Sequence, residues 1–576
     1  MPAVMKSTDG LAVFAFLWAS TQLLHVVKDL TPSAALHAAV AANGVTRVPF
    51  VDLHRIIPLC VALVNASLLV LPSRLPLLLA STALSLVYDF VLGPLSNHIL
   101  TEMCFAASVV AVVVLGMTNK KRRKDMQREL AHVLGYQMAS LYTVAALHKF
   151  NTDFLVARRS CANQVLAIVV KQYLPASLIH SSVVKFMLRH AHWGALIGET
   201  AISACFWFER SREIGMLMGL GFHIFLAVPP PPASFYPFSI CMMCFYVLVR
   251  PRVFERAMER LGGGYVALAV GAAVAAIVYA FVPKGPYFEY PNYNLFPVGV
   301  TWVVTVSICQ LAALIVAPSP IPSPPPSAKR AAKEPRSLSW VTRLSSGIVW
   351  FWGLSPYLGL RTYPALAMFS NLRSEGGRPN TLLPLARNVG MLGWSGAGQS
   401  YRVMETNLTS LRSFQVDLAE YYRPDIRRYL DEVGLEAALW ICPPRWTAPS
   451  PTSPPFRPFD VPLVEIQRLI GAELRKPQPQ PFFVTLRPLQ KESGHDQPAL
   501  NLTWDGGEWY LSFFVPQTVR WDGKQWAAAA PAPSHPPSLP DAFRIDVLRD
   551  RSWLRVIQEG LVRFRSFDEH DSPCRH

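Results

Sequence analysis

The stretch ILTEMCFAASVVAVVVLGM at residues 99–117, followed almost at once by Lys120-Lys-Arg-Arg-Lys124, decides the fold class. A helix rises about 1.5 Å per residue, so this run is about as long as the roughly 30 Å hydrocarbon core of a bilayer is thick. Glu102 is its one ionisable side chain besides the thiol of Cys104. Unpaired backbone groups are not tolerated in lipid, so an apolar run of this length reads as a transmembrane helix. The basic cluster behind it marks a cytoplasmic end, because short cytoplasmic loops carry the excess of Lys and Arg.

Comparable apolar runs lie at residues 11–27, 56–71, 75–91, 130–150, 191–208, 214–228, 233–249, 265–282 and 298–317, with a last helix at 341–360. Residues 161–186 are apolar but interrupted by Lys171, Pro175, His180 and Lys185, which suits an interfacial or re-entrant helix better than a span. The pattern predicts an all-α polytopic membrane bundle of about nine to eleven transmembrane helices. Composition agrees: 51% of the chain is hydrophobic and 16% charged, against about 25% charged in soluble domains, which argues against a single soluble enzyme. The net charge of +16 is assigned to cytoplasmic loops, so no nucleic-acid partner is expected. The run at 11–27 has only Lys6 before it and no clear cleavage site after it, and is read as a retained span.

The basic loops at 120–124, 210–212, 250–260 and 329–336 fall on one side if residues 151–190 do not cross an odd number of times. The N-terminus is then cytoplasmic and the part after residue 361 lumenal, with Arg158 and Arg159 against the rule. Two sequons, Asn407-Leu-Thr409 and Asn501-Leu-Thr503, suit a glycosylated lumenal domain. The division expected is a membrane domain over 1–317, a Pro/Ser-rich linker over 318–340, a last span at 341–360 and a small lumenal α+β domain over 361–576. In that domain, strands are expected at 482–486 and 508–514, a turn at 521–524 and a helix over 461–474. Seven of the nine cysteines, including Cys241-Met-Met-Cys244, lie in or beside apolar runs and read as small core residues rather than metal ligands.

Ionisable side chains inside spans are costly, so each is a functional hypothesis. Asp89, His98, Glu102, Lys149, His192, Glu199 and His223 all map to the lumenal half of the spans, which predicts a polar cavity open to the lumen. Asp89, His98, Lys149 and His223 are expected to converge there. The blander readings are a snorkelling Lys149, interfacial histidines and paired glutamates. No zinc-type HExxH, Gly-rich phosphate loop or GxSxG motif occurs.

Several of these residues sit in a familiar order. Ala146-Leu-His-Lys-Phe-Asn-Thr-Asp-Phe154, preceded by Asn97-His98 and followed by His192-Trp-Gly194, Phe208-Glu-Arg-Ser-Arg-Glu-Ile-Gly215 and Phe222-His223, resembles the vitamin K-dependent γ-carboxylases and the wider horizontally transferred transmembrane family. Leu358-Gly-Leu-Arg-Thr362 and Met368-Phe-Ser-Asn-Leu-Arg-Ser-Glu-Gly-Gly377 look like a segment of its microbial and algal members. The resemblance implies an enzyme of the endoplasmic reticulum membrane. It would oxidise vitamin K hydroquinone with O₂ to the epoxide, with or without carboxylation of a Glu-containing peptide or protein by CO₂, and would use no metal. It makes Lys149 the base, His98 and His148 further catalytic residues, and Asp89, Asn97, His192 and His223 quinol-binding residues. The partners implied are membrane lipids, the lipid-soluble quinol and, where carboxylation is retained, a Glu-containing peptide or protein. The alternative from a different class is a non-catalytic transporter or membrane scaffold.

Overall fold

The computed structural model describes residues 10–30, 53–91, 97–118, 120–230, 234–260, 264–281, 295–316 and 340–358, and a set of shorter pieces between 366 and 575. Nearly all of the expected linker, the tip of the turn at 521–524 and much of the C-terminal domain lie outside the described residues. The chain divides into two compact units. One comprises Met1–Pro32, Phe50–Leu147 and Val165–Gly353, the other Ser33–Pro49, His148–Gln164 and Leu354–His576. The short segment around Lys149 therefore groups with the C-terminal part.

The first unit is helical: α1 (Gly10–Leu30), α2 (Leu53–Val70), α3 (Leu75–Val91), α4 (Asn97–Thr118), α5 (Lys120–His148), α6 (Cys161–Tyr173), α7 (Ser182–Trp207), α8 (Arg212–Ala227), α9 (Tyr236–Val249), α10 (Pro251–Arg260), α11 (Gly264–Phe281), α12 (Phe296–Val316) and α13 (Trp340–Leu354). Among the described residues, α4 and α12 are long and apolar enough to cross a membrane. The pair α9–α10, bent by 85°, counts as a third if read as one broken span. Pro251 accounts for the bend, since it has no N–H to donate and disfavours helical geometry at Arg250. The segments Gly10–Val26, Ile56–Val70 and Leu75–Asp89 are apolar but shorter.

Two local outcomes differ from the sequence expectation. The basic run 120–124 is not a loop but the start of α5, as the near-alanine helix propensity of Lys and Arg permits. The interrupted segment 161–186 splits into α6, a short turn of helix at Ala176–Ile179 after Pro175, and the beginning of α7, whose cap Ser181 Oγ accepts the Val184 N–H at 3.3 Å.

Burial in this unit is partly inverted. Leu59 and Leu63 on α2, Phe186, Trp193 and Ile197 on α7, Ile308, Leu311 and Ile315 on α12, and Leu344, Ile348 and Phe351 on α13 are exposed at helical spacing. Gln22, Asn65, Ser81, Asp89, Glu102 and Gln137 are buried. Outward apolar stripes around a polar-seamed interior suit helices whose solvent is lipid, where interhelical hydrogen bonds join the bundle. One such chain runs from Trp18 Nε1 to Ser81 Oγ (3.0 Å), from Ser81 Oγ to Asn65 Oδ1 (2.6 Å) and from Asn65 Nδ2 to the Val61 carbonyl (2.7 Å), tying α1, α2 and α3.

The second unit holds a seven-stranded sheet in the order β3-β1-β4-β5-β6-β7-β8. Its strands are β1 (Ser400–Thr406), β3 (Phe459–Pro462), β4 (Phe482–Pro488), β5 (Leu500–Asp505), β6 (Glu508–Phe513), β7 (Gln517–Trp521) and β8 (Trp526–Ala528). All its pairings are antiparallel. A separate two-stranded piece pairs β2 (Leu439–Trp440) with β9 (Cys574–Arg575) in parallel. Along β4, Phe482, Val484 and Leu486 are buried while Phe483 and Thr485 are half-buried, the period of two that a one-sided sheet requires. The expected strands appear as β4 and β6. The helix expected over 461–474 begins later than its spacing suggests. Val461 and Pro462 complete β3, an edge strand where proline is tolerated, and only Ile466, Leu469, Ile470 and Glu473 are described as helical.

Candidate functional site

Lys149 lies in the turn that ends α5, in the second unit. Asn151 shapes this turn. Its Oδ1 accepts the Phe154 N–H at 2.8 Å, and its Nδ2 donates to the His148 carbonyl at 2.8 Å and to the Ser370 carbonyl. This is a side chain standing in for backbone turn bonds, which Asn does well. The Asn151 N–H donates to the Lys149 carbonyl at 2.9 Å, Leu382 N–H donates to the Phe150 carbonyl at 3.0 Å, and Asn151 forms a bridge with Thr381. The segment is thus held from both sides by residues far away in sequence.

Lys149 is 3% exposed, with its Nζ 5.7 Å from the centre of the Phe154 ring. A snorkelling lysine presents its ammonium to water, and this one does not. His148 is fully buried, its ring 5.4 Å from that of Tyr357. Lys149 and His148 are thus shielded from solvent, each beside an aromatic ring, with an amine and an imidazole on adjacent residues. Arg159, which breaks the basic-loop rule, is paired with Asp153 at 3.2 Å.

Asp89, Asn97, His98, His192 and His223 belong to the first unit. His223 is fully buried at the centre of a hydrogen-bonded cluster that the sequence reading missed. Tyr142 Oη lies 2.7 Å from His223 Nε2 and 2.5 Å from Tyr246 Oη, and His223 Nδ1 lies 3.2 Å from Ser239 Oγ, which donates in turn to the His223 carbonyl at 3.1 Å. The rings of Phe206, Phe222 and Phe238 pack around it. Its hydrogen-bonded residues come from three helices, so no local spacing marks them.

Glu102, also fully buried, meets Gln22, His25 and Cys241 instead. Asp89 and Asn97 are buried and His98 half-buried. His192 is buried with its ring 5.4 Å from Trp193. Within the first unit the described contacts include a Tyr–His–Tyr cluster and a Glu–His–Cys cluster.

Tyr142→Phe is expected to destabilise the protein by about 1–3 kcal/mol, because it takes from two buried polar groups their shared partner. Thermal unfolding in detergent reads this as a lowered Tm. An unchanged Tm would show that the hydroxyl contributes nothing.

The cysteines hold another surprise. Cys161, read as a core residue, is disulfide-bonded. Among the described residues, Cys60, Cys104, Cys205, Cys241, Cys244 and Cys309 are free. Of the sequons, Asn407 is exposed at the end of β1, where its Oδ1 accepts the Phe483 N–H at 2.7 Å. Asn501 lies inside β5, paired with Thr485 on one side and Ser512 on the other.

Comparison with protein-family models, with curated proteins and with solved structures gives no match to this chain.

Proposed function

We propose that this is a multi-pass membrane enzyme that oxidises a vitamin K-type quinol with O₂ to the epoxide. The observation that carries the reading is the buried Lys149, fixed on a braced turn beside His148 and the rings of Phe154 and Tyr357. An aromatic, water-poor surrounding suits a naphthoquinol ring, and a primary amine without bulk water suits proton abstraction from its hydroxyl. The quinol supplies all four electrons that O₂ takes up, two on passing to the quinone level and two from the ring double bond that becomes the epoxide; one oxygen atom of O₂ enters the epoxide and the other leaves as water.

In this reading Lys149 Nζ takes the hydroxyl proton, which requires the neutral amine. His148 is the adjacent group able to pass that proton on. Asn151 keeps Lys149 in place through the turn. His98 is retained as a further catalytic residue, and Asp89, Asn97, His192 and His223 as quinol-binding residues, on the strength of the resemblance. Coupling to Glu carboxylation by CO₂ is part of the proposal for a Glu-containing peptide or protein substrate.

The same reading has about nine to eleven spans in the endoplasmic reticulum membrane. The outward apolar stripes of α2, α7, α12 and α13 support a larger number than length alone counts. The N-terminus is cytoplasmic and the C-terminal domain lumenal, which the Cys161 disulfide supports, since such bonds persist in oxidising compartments. A protease added to sealed microsomes should leave the part after residue 361 intact, and its digestion from outside would refute the orientation.

The test of function is incubation of the purified full chain with reduced vitamin K and O₂, with and without a Glu-containing peptide and labelled CO₂. Epoxide in both arms, with label in the peptide arm, supports the coupled enzyme, whereas epoxide without label restricts the reading to quinol oxidation. No epoxide in either arm would favour the non-catalytic transporter or scaffold.

A further inference from the structure

The second polar cluster of the first unit lies where α9 packs on both α1 and α4. Cys241 Sγ is 2.9 Å from Glu102 Oε2, and His25 Nδ1 is 3.4 Å from the same oxygen. Ligand atoms of the three residues all lie within 4.8 Å of one another. Gln22, fully buried, donates its amide to Glu102 Oε1, while its own Oε1 has no hydrogen-bond partner among the described residues. From these residues we infer that His25, Glu102 and Cys241 form a zinc site joining three helices, with the Gln22 carbonyl or a water as the fourth ligand.

Three arguments converge on this metal. A thiolate, an imidazole and a carboxylate together suit zinc, whereas calcium and magnesium take oxygen ligands. Tetrahedral zinc with bonds of about 2.0–2.3 Å places neighbouring ligand atoms roughly 3.3–3.5 Å apart, so the His25–Glu102 separation already fits and Cys241 needs to withdraw by about half an ångström. Charge decides the matter further. A deprotonated Cys241 and Glu102 neutralise a divalent cation, which turns two ionised groups that are expensive to bury into a neutral assembly. The His25 side chain, 15% exposed, is the way in, since that of Glu102 is fully buried.

Cys244, one turn further along α9, bonds to Thr21 Oγ1 at 2.9 Å and is not among the ligands, which makes it an internal control. The inference uses none of the residues proposed for the quinol chemistry around Lys149, so either can fail without the other. Its test is the metal content of the full chain purified in detergent, equilibrated with zinc and then passed into metal-free buffer. We expect one zinc per chain in the wild type and in Cys244→Ser, and loss of it in Cys241→Ser and Glu102→Gln. Cobalt substituted for zinc should show the near-ultraviolet band of a thiolate–cobalt bond in the wild type and not in Cys241→Ser. If the two variants aggregate, the cobalt spectrum of the wild type decides alone. A wild type that retains neither metal, or that binds cobalt without the thiolate band, would overturn the site.

Discussion

Lys149→Ala should abolish quinol oxidation in protein that still inserts and elutes as a single species. A loss of at least a hundredfold is expected if the amine acts as general base. Lys149→Arg separates the two roles of a lysine at this depth. Guanidinium stays protonated and cannot accept a proton, so a base is lost by this change, whereas an interfacial anchor tolerates it. The 3% exposure of Lys149 already disfavours the anchor. Rescue of the alanine variant by a small exogenous amine would place the missing chemistry at this point, as the cavity left behind can take one. Full activity in Lys149→Arg would remove Lys149 from the mechanism and leave His148 as the neighbouring base to test.

Asn151→Ala should have the largest effect on the fold around the site. The Asn151 side chain makes three bonds, to the Phe154 N–H and to the carbonyls of His148 and Ser370. Each net bond contributes about 0.5–1.5 kcal/mol, and buried groups left unpaired add to the loss, so destabilisation of about 3 kcal/mol is expected. Asn151→Asp divides the effect. It keeps the oxygen that accepts from Phe154 but has no N–H for the two carbonyls, so it should also destabilise the segment. Thermal unfolding and limited proteolysis at residues 151–160 read both changes. A Tm unchanged in Asn151→Ala would show that the turn is held by backbone bonds alone.

Much of the helical part is legible because its signal is local. An apolar run of the right length gives α4 or α12 from a few turns of sequence, and the cost of burying charge singles out Asp89, Glu102, Lys149 and His223, all of them buried. What stays hidden depends on pairings between distant segments. Cys241 looks like a filler residue on α9 because its neighbours His25 and Glu102 arrive from two other helices. Cys161 sits at the start of an apolar helix, and nothing local marks its bond. Tyr142 and Tyr246 pass for ordinary aromatic core until their hydroxyls are seen to meet at His223. Strand β5 carries no comparable local signal. Its sequence LNLTWD is short, and its identity rests on pairing with β4 and β6.

The most direct measurement uses isotopically labelled oxygen. Purified protein is given reduced vitamin K under ¹⁸O₂, and the product is examined by mass spectrometry. Epoxide carrying one ¹⁸O, formed by the wild type and absent with Lys149→Ala, is the predicted result. Epoxide formed equally by both proteins, or no epoxide beyond that of protein-free vesicles, would contradict the account.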